Sequence, residues 1–370
     1  MKLPFPSPPR SSAGIALMVV MIAVTVLSLL AAAFAYAMKV ETKLAQNTSS
    51  ETELIWLGRS GVEYARWILA QQLAIGTEPY TGLNQKWAGG PGGIGTSNSV
   101  LASLSLQEEY HLGEGKFRIT IKDLERYANL HTADQATLEK AMRLVGVDAG
   151  EAAGIAAAIV DWIDTDENTV GGAESSYYQS LDPPYYAKNR PVDDLTELLL
   201  VRGVTPEIYW GRLATNHAPG VFQSRLGRFS PGLPSAPPAA GAGLQEIFTP
   251  LSNGKININT ASATVLQMIP FVDEVIAAKI IELRAGPDGA EGTEDDMPAG
   301  APGIRIEDVL RSAGLPMPAV PIAARVCTQQ SSTFEVEVTA ELSGYTRKFH
   351  ALLGRNSPRD VPVLSFYWTE

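Results

Sequence analysis

Cysteine is almost missing from this chain: Cys327 stands alone among 370 residues, so no intramolecular disulfide can form. An extracytoplasmic domain of this composition takes its rigidity from its core or from bound metal. Histidine is scarce too, at positions 111, 131, 217 and 350, and no His/Cys pair has transition-metal spacing. Neither a nucleophile elbow nor a Gly-rich phosphate loop is present, and the scattered Ser, His and Asp form no local catalytic signature. The chain is therefore not expected to be an enzyme. Positive charge is in short supply: 29 Lys and Arg against 40 Asp and Glu give a net charge of -11 at pH 7. That balance disfavours nucleic acid and anionic lipid as broad partners and favours cations. The most informative absence is local, because no charge at all falls between Arg10 and Lys39.

The uncharged stretch over residues 15–38 is made of Ile, Ala, Leu, Met and Val with Phe34, and only Thr25, Ser28 and Tyr36 interrupt it as polar residues. As a helix it reaches about 36 Å, enough to cross a hydrocarbon core of about 30 Å with some tilt. Residues 1–14 carry Lys2 and Arg10, so the basic side precedes the span and the remainder should lie across the membrane. A secretory signal would place its small-residue cleavage site after a shorter apolar core. Here the small residues, Ala13-Gly14, come first. A short basic leader ending in Gly before an uncharged helix resembles a type IV prepilin. That resemblance implies a prepilin peptidase cut between Gly14 and Ile15, after which the apolar helix packs into a filament. An unprocessed signal anchor is the competing reading.

One departure from the pilin pattern carries information. Pilins usually have Glu at the fifth mature position, where it offsets a neighbour's N-terminal amine inside the apolar stem bundle. This chain has Val19 there. A subunit at the filament tip has no neighbour above it to neutralise, so it can dispense with the Glu.

With 45% hydrophobic residues the chain has room for two folded units beyond the stem. Apolar residues at helical spacing from Leu44 to Leu73 continue the stem as an amphipathic half, residues 39–127 holding this half and the first part of a head. Residues 116–124 alternate as a strand, with Ser99 to Leu106 as a candidate partner. Residues 128–215 read as a helical domain. Thr132 with Gln135, and Asp148 with Glu151, suggest capping boxes; Asp193 or Asp194 can cap Leu195, and Thr205-Pro206 can open a helix. Residues 216–243 are a Pro/Gly-rich connection. The earlier pattern then returns in residues 244–313: Asn257-Ile258-Asn259-Thr260-Ala261 with Leu266 repeats Asn129-Leu130-His131-Thr132-Ala133 with Leu138. Residues 314–370 end in β: Thr333 to Leu342 alternates, Ser343-Gly344 can turn, and Tyr345 to Leu353 and Val361 to Trp368 follow. The fold class expected is α+β, with the long stem helix on an antiparallel pilin-like sheet and a large inserted helical domain.

Two acidic groups are candidate metal sites. Asp161, Asp164, Asp166 and Glu174 gather where a helix ends, and a helix C-terminus already carries partial negative charge. Hard oxygen ligands in a Gly-containing loop suit calcium, although Thr169 stands where an EF-hand needs Gly and Glu174 falls one place early. Solvated acids capping the next turn are the plainer alternative. Asp288, Asp295 and Asp296 lie in a second acidic, Gly-rich loop, either around a cation or as charged surface. The repeated helix openings resemble helix-hairpin-helix modules, but the hairpins at 145–147 and 270–272 have few basic neighbours, so no nucleic acid is expected.

The prepilin start without Glu at Val19, the run Asp161-Trp162-Ile163-Asp164 with Asp166, then Gly172, Ala173, Glu174 and Tyr177, the Asn189-x-Pro191 turn and Leu195-x-Glu197-Leu198-Leu199 resemble the K-class minor pseudopilins of type II secretion. The resemblance implies a calcium-binding helical domain inserted in a pilin-like head, at the tip of a periplasmic pseudopilus. It implies an inner-membrane span through residues 15–38, with a cytoplasmic N-terminus and a periplasmic head. It also implies I-type and J-type minor pseudopilins, the prepilin peptidase and the inner-membrane secretion platform as partners. The alternative is a minor pilin of a type IV or DNA-uptake pilus.

Overall fold

A computed structural model describes residues 13–211 and 242–369, apart from 94, 107 and 170. The leader up to residue 12 and the connection expected at 216–243, except its last two residues, lie outside the described residues. In chain order the elements are α1 (Ala13–Leu73), β1 (Tyr110–Leu112), β2 (Gly115–Asp123), β3 (Ala128–Asn129), α2 (Gln135–Leu144), α3 (Ala149–Ile163), α4 (Ser175–Tyr178), α5 (Pro206–Trp210), β4 (Phe248–Thr249) and β5 (Ile256–Asn257). Then follow α6 (Ala263–Leu266), α7 (Glu274–Arg284), α8 (Ile306–Ser312), α9 (Val320–Val326), β6 (Cys327–Thr328), β7 (Thr333–Leu342), β8 (Tyr345–Gly354) and β9 (Val363–Thr369).

The 61 residues of α1 divide by burial. From Ile15 to Leu44 the apolar side chains are exposed, as a helix needs to be if lipid or other stems are to cover it. From Leu54 onward Leu57, Val62, Ala65, Ile68 and Leu69 are buried at helical spacing against the sheet. Gly58 and Gly61 let helix and sheet approach: a Cβ at Gly58 would run into the Phe349 ring, and one at Gly61 would lie 2.5 Å from Val338 Cγ1.

The sheet is antiparallel, in the order β1-β2-β7-β8-β9. Strict alternation along β7 buries Phe334, Val336, Val338, Ala340 and Leu342 beneath α1 and turns Glu335, Glu337, Thr339 and Glu341 outward. Ser343 and Gly344, both at positive φ, make the two-residue turn into β8. The partner of β2 expected at Ser99 to Leu106 is not used. Gly113-Glu114 instead folds Tyr110–Leu112 back onto β2, with Leu112 opposite Gly115, because a two-residue turn closes at less entropic cost than a longer loop.

A second core holds the helices. It joins residues from Ala128 to Tyr209 and from Leu244 to Cys327 in one cluster. The segments expected separately at 128–215 and 244–313 therefore form one insertion, and the boundary expected at 314 moves to about 327, since Leu315, Ala319, Val320 and Ala323 belong to the helical core. Two short parallel pairings, Ala128 with Phe248 and Ile256 with Cys327, tie its halves together. The repeated opening is the same device used twice: Asn129 Oδ1 accepts from the His131 amide at 2.8 Å, and Asn257 Oδ1 from the Asn259 amide at 3.0 Å. That turn draws Thr132 into a 3₁₀ turn, so Asp134, not Thr132, caps α2 by accepting from the Thr137 amide. Asp148 precedes α3 without a side-chain cap bond, whereas Asp194 and Glu197 complete a capping box.

Head and insertion meet at a buried polar joint. Asn257 Nδ2 donates to Asp123 Oδ2 at 3.0 Å and to Ser331 Oγ at 2.8 Å, and Thr260 Oγ1 donates to the same Asp123 oxygen at 2.6 Å. Arg355 Nη2 donates to Thr81 Oγ1 and the Ser331 carbonyl. Burial, with Asp123 close by, pushes the Glu125 carboxyl up to about 7. The folded chain therefore holds this proton more tightly than the unfolded chain. Stability falls as pH rises from the ordinary value of 4.5 to about 7, by on the order of 1–3 kcal/mol. Urea denaturation between pH 4.5 and 8 checks this, and Glu125→Gln is expected to flatten the slope.

Candidate functional site

The acid cluster sits at the C-terminal end of α3. Apolar Ile155 and Ile159 fix one face of that helix in the core, and Asp164 ends it, its amide donating to the Val160 carbonyl at 2.9 Å. The chain then loops back so closely that a Cβ on Gly172 would lie 2.5 Å from both Asp161 Oδ2 and the backbone of Ala157. This return delivers Glu174, at the start of α4, against Asp164 and Asp166. One carboxylate oxygen from each of the three lies within 4.8 Å of the others. Asp161 is buried next to them.

The electrostatics are one-sided. Glu174 is 2% exposed, yet neither of its carboxylate oxygens has a hydrogen-bond partner, nor has Asp164 Oδ1. Desolvation, then the charges of Asp161, Asp164, Glu167 and Asp166, push the Glu174 carboxyl up to about 7. Desolvation also raises Asp164, against a backbone hydrogen bond from Asp166 that lowers it. Among the described residues no Lys or Arg forms an ion pair with Asp164, Asp166 or Glu174. Arg202, the nearby cation, gives its Nη1 to the Gly172 carbonyl and lies 5.1 Å over the Tyr177 ring. Buried oxygens without donors, on acids without cations, are the donor set a hard divalent cation requires.

Three residues not singled out as ligands hold the loop. Asn189, at φ 46°, donates from Nδ2 to the Asp166 carbonyl and to Glu167 Oε1, and Ser175 Oγ donates to the same Glu167 oxygen. Asn189 stood out in sequence only as part of the Asn189-x-Pro191 turn. Glu167 carried no signal beyond being one more acid in the run.

The second acidic loop behaves differently. Asp295 Oδ2 accepts from the Asp288 amide, Asp288 Oδ1 from the Ala290 amide, Asp296 Oδ2 from the Gly292 amide, and Asp295 Oδ1 from Thr293 Oγ1. Arg284, buried beneath the loop, pairs with Glu291. These carboxylates brace their own turns, and Asp288, Asp295 and Asp296 do not converge as Asp164, Asp166 and Glu174 do. At the hairpin between α6 and α7, Lys140 Nζ donates to the Val272 carbonyl at 3.0 Å and Asp273 caps Ile276. Its polar groups are turned to packing.

An apolar stem of membrane length, an antiparallel sheet beneath its second half and a helical domain inserted between β2 and β7 define a pilin-like fold with an enlarged head. Residues 118–212 match the family model for type II secretion system (T2SS), protein K, and residues 252–287 match the helix-hairpin-helix motif. The type II secretion system protein K of Aeromonas hydrophila is 28% identical over 213 residues, 55% of this chain and 62% of that protein. That of Klebsiella pneumoniae is 23% identical over 210 residues, 53% of this chain and 59% of that protein. The chain thus spans about six-tenths of the length of the curated relatives it matches. In fold it is similar to a chain of the crystal structure of the GspK-GspI-GspJ complex from the type 2 secretion system of enterotoxigenic Escherichia coli, with TM-score 0.60 and 18% identity over 88% of this chain and 99% of that one. Over residues 118–212 and in fold the chain is thus similar to the type II secretion system K proteins, the minor pseudopilin class its sequence resembles.

Proposed function

We propose that this chain is the minor pseudopilin that caps or initiates the periplasmic pseudopilus of a type II secretion system, in support of protein secretion across the outer membrane. The observation that carries the reading is the enlarged head. The insertion stands beside a pilin-like sheet whose stem is otherwise free to pack laterally, so a subunit of this shape accepts neighbours at its sides and leaves no seat above. The stem spans the inner membrane through residues 15–38 after a prepilin peptidase cut between Gly14 and Ile15. Val19 in place of Glu suits a subunit with no amine to neutralise above it.

Its partners in this reading are I-type and J-type minor pseudopilins, consistent with the complex in which the similar E. coli chain was solved. Co-expression with both from one genome is expected to yield a complex that survives gel filtration. Co-elution with neither, while the other two still pair, would contradict the reading.

Calcium belongs to the same proposal. Asp164, Asp166 and Glu174 would hold it, with Asp161 close behind. A bound cation would supply the positive charge these carboxylates lack. Asn189, Glu167 and Ser175 would then keep the returning loop in place, and with it the face of the insertion formed by α3 and α4.

A further inference from the structure

The outer strand of the sheet, β9, pairs with β8 on one side, and among the described residues no strand covers its other edge. Proteins blunt such edges with charge, proline, shortness or a covering segment. At the opposite end of the sheet β1 is three residues long. Strand β9 runs seven residues, Val-Leu-Ser-Phe-Tyr-Trp-Thr, with neither charge nor proline, and Leu364, Tyr367 and Trp368 are about half exposed. A register shift between Leu352 and Leu353 disturbs the start of the strand, but residues 365–369 run in regular register against 348–352. That leaves five residues of unguarded edge.

The two faces flanking this edge differ in chemistry. On the α1 side Phe366 stacks on Phe349 at 5.7 Å, and Arg59 lies 5.3 Å over the Trp56 ring and 5.9 Å over Phe366. Trp368, opposite Phe349 in register, continues that apolar ledge. On the outer face Ser365 and Tyr367 line a cleft of about 240 Å³ under the insertion, with His350, Glu335 and Asp194. Among the described residues neither Glu335 nor Asp194 pairs with a Lys or Arg. Lys122, the cation in the cleft, lies 5.0 Å over the Tyr127 ring, and Asp193 is matched by Lys188. Acid is therefore in surplus there; burial, and then the charges of Glu335 and Asp194, raise the Tyr367 hydroxyl above its ordinary value.

We propose that β9 accepts an extended segment of another polypeptide as a sixth strand, and that this segment alternates apolar and basic residues. Its apolar side chains lie along Trp56, Phe366 and Trp368, while its basic ones face the cleft side of Glu335 and Asp194. Main-chain hydrogen bonds along the edge supply the binding, and the alternation sets the specificity.

The test uses the full chain in detergent micelles and three synthetic nine-residue peptides: alternating Lys/Val, alternating Glu/Val, and Lys/Val with a central proline. Amide hydrogen exchange across 363–369 is read by mass spectrometry. The Lys/Val peptide is expected to slow exchange at 365–369 by at least tenfold, and the other two to leave it unchanged. Tyr367→Lys is expected to weaken the effect at least tenfold, with exchange in α1 and β7 unaltered; Ser365→Lys serves the same purpose should the first variant fold poorly. Equal protection by the Lys and Glu peptides, or none by any, would overturn the proposal. Protection that needs no peptide and grows with protein concentration would overturn it too, by making a second copy of this chain the occupant.

Discussion

Gly61→Leu is expected to destabilise the head strongly, lowering its melting temperature. Leucine is the better helix former by somewhat under 1 kcal/mol, but Val338 Cγ1 stands 2.5 Å from where the new Cβ must go. Val338 is itself fully buried in β7 and cannot step aside. Overpacking of this kind costs about 1–3 kcal/mol and more when the backbone must move, against a domain stability of about 5–15 kcal/mol. Even Gly58→Ala is expected to destabilise, because its Cβ meets the Phe349 ring. The control is Gly154 in α3, where a Cβ meets nothing within 4 Å. Gly154→Ala is expected to stabilise by about 0.5–1 kcal/mol. Thermal unfolding of the three variants checks the contrast, and a common direction of change for both alanines would contradict the packing described between α1 and the sheet.

The second large effect concerns the acid cluster, and its sign reverses with conditions. With calcium in excess the wild-type chain is expected to gain several kcal/mol, about 4 at a thousandfold excess over the dissociation constant. Chelator should remove that gain. Glu174→Gln removes one negative charge from a group whose oxygens lack donors. The variant is therefore expected to be more stable than wild type in chelator and less stable in calcium, so the two melting curves exchange order. If the cluster is only solvated acid, neither protein shifts with calcium.

Legibility from sequence followed the range of the interactions. Strand β7 and its turn were legible to the residue, because alternation from Thr333 to Leu342 and two residues fit for positive φ are local properties. The stem and its two halves were legible for the same reason. The union of the helical segments was not: Leu138 and Ile280 join one core through contacts between residues far apart in the chain, and no local pattern records them. Competing caps were also undecidable locally, since Thr132 and Asp134 are both good cap residues and the choice is made by the Asn129 turn. At the site, the convergence of Asp164, Asp166 and Glu174 could be guessed from density of charge, and density of charge equally suggested Asp288, Asp295 and Asp296. What separates them is where the backbone amides point. In the second loop they point at the carboxylates; in the first the Asn168 amide meets Asp166 Oδ1, but both Glu174 oxygens are left without a donor.

The most direct test of the assembly account is the mass and N-terminal sequence of the membrane-extracted protein, from cells with and without the prepilin peptidase. A start at Ile15 that depends on the peptidase is the result this account predicts. An intact start at Met1 in both cell types would contradict the account, leaving a membrane-anchored protein whose apolar stem serves only to hold it in place.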